Sequence, residues 1–530
     1  MSAQIEELWS SVNRATIVVF LGLWSRLRAK LRAKLRARVL ASWSVSLAAS
    51  LLVVSPPVLA QGSATGSNTA VVPGLPAALQ QAFRAAGLPQ QDVGLIVVPL
   101  AGGAPLLALN ANEALNPAST MKLLTTYMGL SELGAGFRWK TRAYLRGVLQ
   151  GDVLNGDLIL QGGGDPKFVI EDLTEFIARM RQAGLREIRG NLVLDDAIFN
   201  LDDRSVEQFD GDPSQPYNVR PHGMLMNFKA TKFMIQPHGR DADILLDPPL
   251  ADVVIDSDLR MTPGRCRYGA NGLVIRDGGT EHKPMIRISG SYSNECGLQS
   301  VFAAVLSHRQ FAHGFFKAAW LAAGGAWQGQ TVLERGAVAK LRDNGSAAAA
   351  WLEWLSPREL GEVVSDINKF SNNVMERQLL LYTASVRQPV APTVEQARQY
   401  LLNWLDGKGL SFPELVVDNG SGLSRRERIS ANSMAKVLLH AAGNGNAQLY
   451  RNSLPRVGLD GTMKSRMVNE AIAGNAWIKT GSLNDVRSLA GYVDASSGKR
   501  YAVVMLINGQ RAELSSGAQD ALLRWVFSNG

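Results

Sequence analysis

Residues 116–130 read Asn116-Pro-Ala-Ser119-Thr-Met-Lys122-Leu-Leu-Thr-Thr-Tyr-Met-Gly-Leu130. The Pro and Ser suit a helix start, and the apolar run after Lys122 predicts that the helix is buried. A three-residue separation on a helix sets Ser119 and Lys122 on one face, one turn apart and within hydrogen-bonding reach. A Ser hydroxyl is a poor nucleophile until a neighbour takes its proton. Lysine does that only when its pKa is lowered by desolvation and nearby positive charge. Met121, Leu123 and Leu124 supply part of the desolvation. Alone, Ser-x-x-Lys is weak, because a chain of 530 residues holds one or two by chance.

Two further patterns change its weight. Ser371-Asn-Asn373 sits in a polar turn, and Lys479-Thr-Gly-Ser482 follows the strand-like Asn475-Ala-Trp-Ile. Lys479 is expected to supply the positive charge that lowers the pKa of Lys122. Each pattern alone has a bland reading, a helix-entry turn and a strand-end turn. In this order and local context they form one constellation for nucleophilic catalysis.

Around these motifs, residues 77–90 predict a short helix stopped by Gly87, and Asp92–Leu100 with Leu106–Asn110 a hairpin. From about 138 to 335 the texture is short strands and turns, with turns at Gly151-Asp and Asn155-Gly. Helical character returns over Phe311–Ala323 and 359–385. Strands follow at Arg487–Val493 and Tyr501–Asn508, then a closing helix, 515–527. Strands at both ends and a β-rich middle predict one discontinuous α+β domain with an insertion.

The chain carries 55 Lys+Arg against 46 Asp+Glu, a net +9, with 46% hydrophobic residues. Six of those nine charges lie in residues 1–60, leaving +3 and no basic block to track phosphates, so nucleic acid is not an expected partner. The basic run 27–38, the apolar stretch 39–54 and Val58-Leu-Ala60 have the layout of a secretory signal with cleavage after Ala60. An uncleaved anchor is the alternative. In an oxidising compartment Cys266 and Cys296, 30 residues apart, are expected to close a loop. The six histidines show no His-x-x-x-His pair and the glycines 162–164, read as a turn, lack a following Lys-Ser/Thr, so no metal or cofactor is expected.

The three motifs together resemble the serine penicillin-binding proteins and serine β-lactamases. Spacings of 252 residues from Ser119 to Ser371 and 108 from Ser371 to Lys479 are similar to those of the low-mass class C penicillin-binding proteins, the D-alanyl-D-alanine carboxypeptidase/endopeptidase family. Gly162-Gly-Gly-Asp-Pro166, Asn368-Lys-Phe-Ser-Asn-Asn373 and Asp418-Asn-Gly-Ser-Gly-Leu-Ser-Arg425 extend the likeness over residues 75–530.

The resemblance implies a discontinuous penicillin-binding/β-lactamase-like domain, an antiparallel sheet flanked by helices. Its parts are 61–142 and 340–530, with a two-lobed β-rich insertion at 143–339 whose inner lobe, about 230–300, holds the cysteines. It implies Ser119 as nucleophile, Lys122 as base, Ser371 and Asn373 as proton relay and support, and Lys479, Thr480 and Ser482 as the carboxylate site. Gly481 would keep the substrate's path to the strand clear. Asp212 and Tyr217, with Arg425 and Asn484, would form a side pocket for diaminopimelate. Peptidoglycan stem peptides are the implied substrates and β-lactams the acylating inhibitors, in a periplasmic or cell-envelope setting. Oligomeric state and attachment to a membrane surface stay open. A β-lactamase-like hydrolase and a weakly catalytic penicillin-binding scaffold are the alternatives.

Overall fold

A computed structural model describes residues 74–201, 209–343 and 349–530. The expected signal and its Ala60 junction lie outside the described residues. The centre of the fold is a five-stranded antiparallel sheet built from both ends of the chain: β1 (Val93–Pro99), β2 (Leu107–Leu109), β3 (Ala476–Leu483), β4 (Val486–Asp494) and β5 (Arg500–Asn508), ordered β3-β4-β5-β1-β2. Register pairs Leu95 with Leu109 and Met505, and Lys479 with Ala490. β3, carrying Lys479, is therefore an edge strand.

The apolar run of β1 is continuous because both faces of the sheet are covered. Val93, Leu95 and Val97 face one way, packing with Leu79 and Phe83 of α1 (Ala77–Ala86). The same face meets Leu522 and Val526 of the C-terminal helix, Ser516–Asn529. Ile96 and Val98, one residue out of phase, join the larger helical core. That core is built on α2 (Lys122–Leu133), α3 (Leu360–Phe370), α4 (Asn373–Ser385), α5 (Val394–Gly407) and α6 (Ala431–Ala442). α2 is buried on every side from Lys122 to Leu130, largely by apolar residues, as a helix at the centre of a core must be.

The intervening chain is rooted in a second sheet. Its hairpin Lys140–Gln150/Val153–Gln161 is closed by Leu352–Leu355 and joined in parallel by Leu192–Asp195. Helices Ile170–Gln182 and His308–Ala322 cover it, burying Phe176, Ile177, Phe315 and Trp320. Two three-stranded sheets follow, one from 231–238, 241–247 and 299–303, the other from 254–262, 274–277 and 285–293. The disulfide Cys266–Cys296 lies among them.

Five local readings are corrected. Asn155-Gly156 is not a turn but lies within a strand, where Gly156 pairs with Gly147; a Cβ on Gly156 would come within 2.2 Å of the Arg146 carbonyl oxygen. The helix Ile170–Gln182 stands inside the stretch read as strands, with its buried Leu173, Phe176, Ile177 and Met180 at helical spacing. Glycines 162–164 run between two neighbours, their amides bonding the Asp195 and Gly223 carbonyls, instead of turning. The single helical stretch 359–385 is two helices, α3 and α4, broken at Ser371 and Asn372. Finally, Lys479-Thr-Gly lies inside β3 and not at its end.

Candidate active site

The turn preceding α2 is held rigidly. The Asn116 side chain accepts from Ala118 N at 2.9 Å and donates to the Ser424 carbonyl at 2.8 Å, while its backbone exchanges hydrogen bonds with the Asn508 amide. Ser488 on β4 donates to the Pro117 carbonyl at 2.6 Å. Ser119 thus sits on a single 3₁₀ turn, Ala118–Met121, pressed against β3. Gly481 makes that approach feasible: a Cβ there would lie 2.7 Å from Ser119 N and 2.3 Å from Ser488 Oγ. Its requirement comes from seating the Ser119 turn, a different steric reason from the expected clearance for substrate.

Lys122 Nζ lies 3.0 Å from Ser119 Oγ and 2.6 Å from Asn373 Oδ1, and it donates to the Ser421 carbonyl. Three elements thereby converge on one amine: α2, the first turn of α4, and the Asp418–Arg425 loop. The break between α3 and α4 places the second motif. Ser371 adopts a left-handed backbone, φ 57°, and Asn372 caps α4 by accepting from Val374 N and Met375 N at 3.0 Å each. Ser371 Oγ then accepts from Lys479 Nζ at 2.9 Å, and Lys479 also donates to the Thr480 carbonyl at 2.7 Å. All five residues expected to carry chemistry are brought together.

Burial dominates the electrostatics. Lys122, Glu376, Glu427 and Lys479 are the only charged side chains among the described residues with zero exposure. Desolvation lowers the Lys122 pKa to about 8, against the pull of Glu376 and Glu427, while Arg377 pushes it down. Lys479 lies well below its ordinary value, first through desolvation and then through Lys122. The expectation that Lys479 supplies charge lowering Lys122 is refined: burial leads, and the mutual repulsion of the two lysines, with Arg377, adds to it. Being buried, Lys479 faces the cleft through Ser371, whereas Thr480 is half-buried and Ser482 exposed. The Thr480 hydroxyl pairs with Thr462 at 2.8 Å.

The remaining expected residues divide. Arg425 donates to the Asn484 carbonyl at 2.9 Å and to Asp210 Oδ1 at 2.8 Å, with its guanidinium over Phe209. The Asp212 carboxylate turns into its own loop, accepting from Ser214 N, Ser214 Oγ and Gln215 Nε2; these bonds hold its pKa below the usual range. Tyr217 is half-buried, and its carbonyl accepts from Arg377 at 2.7 Å. Asp210, passed over in the sequence, is the acid that meets Arg425.

This arrangement can be set beside known proteins. Residues 75–528 match the profile of the D-Ala-D-Ala carboxypeptidase 3 (S13) family. The chain belongs to that family. A D-alanyl-D-alanine carboxypeptidase of Actinomadura sp. strain R39 is 29% identical over 450 residues, 81% of this chain and 80% of that protein. The D-alanyl-D-alanine carboxypeptidase DacB of Haemophilus influenzae is 24% identical over 444 residues, 79% of this chain and 85% of its own length. The crystal structure of penicillin binding protein 4 (dacB) from Haemophilus influenzae superposes with a TM-score of 0.71 at 21% identity, covering 85% of this chain and 99% of that one. It shares the fold: helices and several sheets around a penicillin-binding core. Membership makes this chain a carboxypeptidase-type hydrolase.

Sequence reasoning missed three groups that contact or electrostatically act on the buried lysines. The Ser421 carbonyl lies in a quoted motif to which no role was given. Glu427 shapes the same loop, its Oε1 accepting from the Asn419 and Gly420 amides at 3.1 and 2.9 Å. Glu376 stands three residues beyond Asn373, a spacing that helical periodicity could have flagged.

Proposed function

We propose that this protein is a serine-type D-alanyl-D-alanine carboxypeptidase and DD-endopeptidase that works through a Ser119 acyl-enzyme. The observation carrying this reading is the fully buried Lys122, its Nζ 3.0 Å from the half-buried Ser119 Oγ and held by Asn373 and the Ser421 carbonyl. Ser119 Oγ attacks the carbonyl carbon of the penultimate D-Ala as its proton passes to Lys122 Nζ. The Ser119 and Ser482 amides stabilise the oxyanion. The C–N bond breaks, the proton returns through Ser371 to the leaving amine, and water then hydrolyses the ester.

Thr480 and Ser482 take the substrate carboxylate, with Lys479 acting from behind through Ser371. A C-terminal D-Ala and a crosslinked diaminopimelate both carry a carboxylate beside the scissile amide, so one pocket serves both reactions. Asp212, Tyr217, Arg425 and Asn484 are assigned to the side pocket that selects diaminopimelate. β-Lactams acylate Ser119 and remain attached. The reading includes export, with cleavage after Ala60 and the working protein in the periplasm or cell envelope, and a division into 61–142, 143–339 and 340–530.

The test incubates the full-length protein with a pentapeptide and with a crosslinked muropeptide dimer, beside Ser119→Ala. D-Ala release and dimer cleavage by the wild type, both abolished in S119A, are expected. Equal rates in S119A would sink the mechanism, and inactivity of the wild type toward both substrates would sink the hydrolase reading.

A further inference from the structure

Two acids accompany the two catalytic lysines, and they are differently placed. Glu427 is bonded to loop amides, so it has an evident structural task. Glu376 has none. It is fully buried one turn beyond Asn373 on α4, the residue whose Oδ1 holds Lys122 Nζ at 2.6 Å. Neither of its carboxyl oxygens meets a donor at full hydrogen-bonding geometry among the described residues; the Thr125 hydroxyl, which donates to the Gly420 carbonyl at 3.3 Å, is near enough to lower its pKa. A buried carboxyl without such bonds costs about 1–3 kcal/mol or more.

We propose that Glu376 is a positioning residue of the acylation step, its buried carboxyl keeping Lys122 basic enough to take the Ser119 proton and hold it until the leaving group needs it. The inference rests on the acyl-enzyme reading above. Lys122 and Lys479 are equally buried, and the Glu376 carboxyl pulls both upward against that burial. The first charge pulling Lys122 upward is Glu376. In return burial raises the Glu376 carboxyl to about 8, with Lys122 and Lys479 drawing it down and Glu427 pushing it up. The groups acting on Glu376 are therefore Lys122 and Thr125 from α2, Lys479 from β3, Glu427 from the loop, and Tyr450, while Arg377 on its own helix acts on Lys122. The two groups oppose each other's burial shifts, the carboxyl drawing the amine up and the amine drawing the carboxyl down. A base needs this balance: strong enough to accept a proton, weak enough to return it.

The sign follows. Lys122 must be neutral to act, so acylation rises with pH through its pKa; removing the neighbouring anion lowers that pKa. In full-length E376Q, the acidic limb of benzylpenicillin acylation, followed from pH 5.5 to 10, is expected to move down by about one unit. The plateau should fall about threefold because the base is weaker. E376D should bring the limb back toward wild type, and the melting temperature should not fall in E376Q. A limb that overlays wild type overturns the inference, as does a loss at every pH with lowered stability and no shift. If E376Q does not fold, the ¹³C-carboxyl titration of Glu376 in the wild type decides. Two coupled steps support the proposal, and one step in the ordinary glutamate range overturns it. Persistent acylation in S119A would instead remove the underlying reading.

Discussion

At the Ser119 turn the steric constraint falls on Gly481. β3 must bring its edge against the Ser119 turn, and the space between them is smaller than a methyl group: a Cβ would meet Ser488 Oγ at 2.3 Å, Ser119 N at 2.7 Å and the Pro117 carbonyl oxygen at 2.9 Å. Two of those atoms are backbone, and Ser488 is fixed by its bond to Pro117, so none moves freely. Gly481→Ala should push the turn off the strand and shift Ser119 relative to Lys122. A displacement of this kind costs on the order of a hundredfold in rate, and the overpacking about 1–3 kcal/mol in stability. Acylation by a fluorescent penicillin and thermal unfolding measure the two; wild-type acylation in G481A would show that the turn has slack.

At the scale of elements, the break between α3 and α4 does the positioning. A continuous helix would point Ser371 wherever the 3.6-residue period dictated. Instead the left-handed Ser371 ends one helix and Asn372 starts the next, aiming Ser371 at Lys479 and Asn373 at Lys122. Asn372→Ala should cost about 1 kcal/mol and slow acylation by loosening Asn373, while Asn372→Asp, which keeps the cap oxygen, should do neither. Chemical denaturation and acylation rates check both. This break also marks how far the sequence was legible. β1, β5 and α2 could be read because each carries a long, mostly apolar run. The break could not, because apolar periodicity runs across it, and only a polar helix-entry turn was visible at Ser371-Asn-Asn373. The three motifs were readable because catalysis needs those residue types; the acids behind them were not, because a buried Glu has no local pattern, its partners lying 254 residues upstream at Lys122 and 103 downstream at Lys479.

For the whole molecule, the question is how the long insertion and the catalytic core share stability. They are latched where α3 and α4 meet the second sheet: Arg358 pairs with Asp172 at 2.7 Å, Lys167 with Asp366, and Arg377 holds the Tyr217 and Val219 carbonyls. Farther out the insertion thins. The strand Val254–Thr262 has no buried residue, and the buried apolar side chains of its sheet are Ile275, Ile286, Ile288 and Tyr292. The Cys266–Cys296 bridge closes this region at a separation of 30 residues. In the chain-entropy model such a closure contributes about 3.6 kcal/mol, large against what so thin a layer can supply. Converting both cysteines to serine should therefore open residues 231–303 while leaving the Ser119–Lys122 cage intact. Hydrogen exchange should show lost protection confined to that stretch, with penicillin acylation at 25 °C unchanged. Acylation falling in step with lobe protection would instead mean that the outer sheets help hold the Asp212–Tyr217 loop against Arg377, and so belong to the catalytic unit.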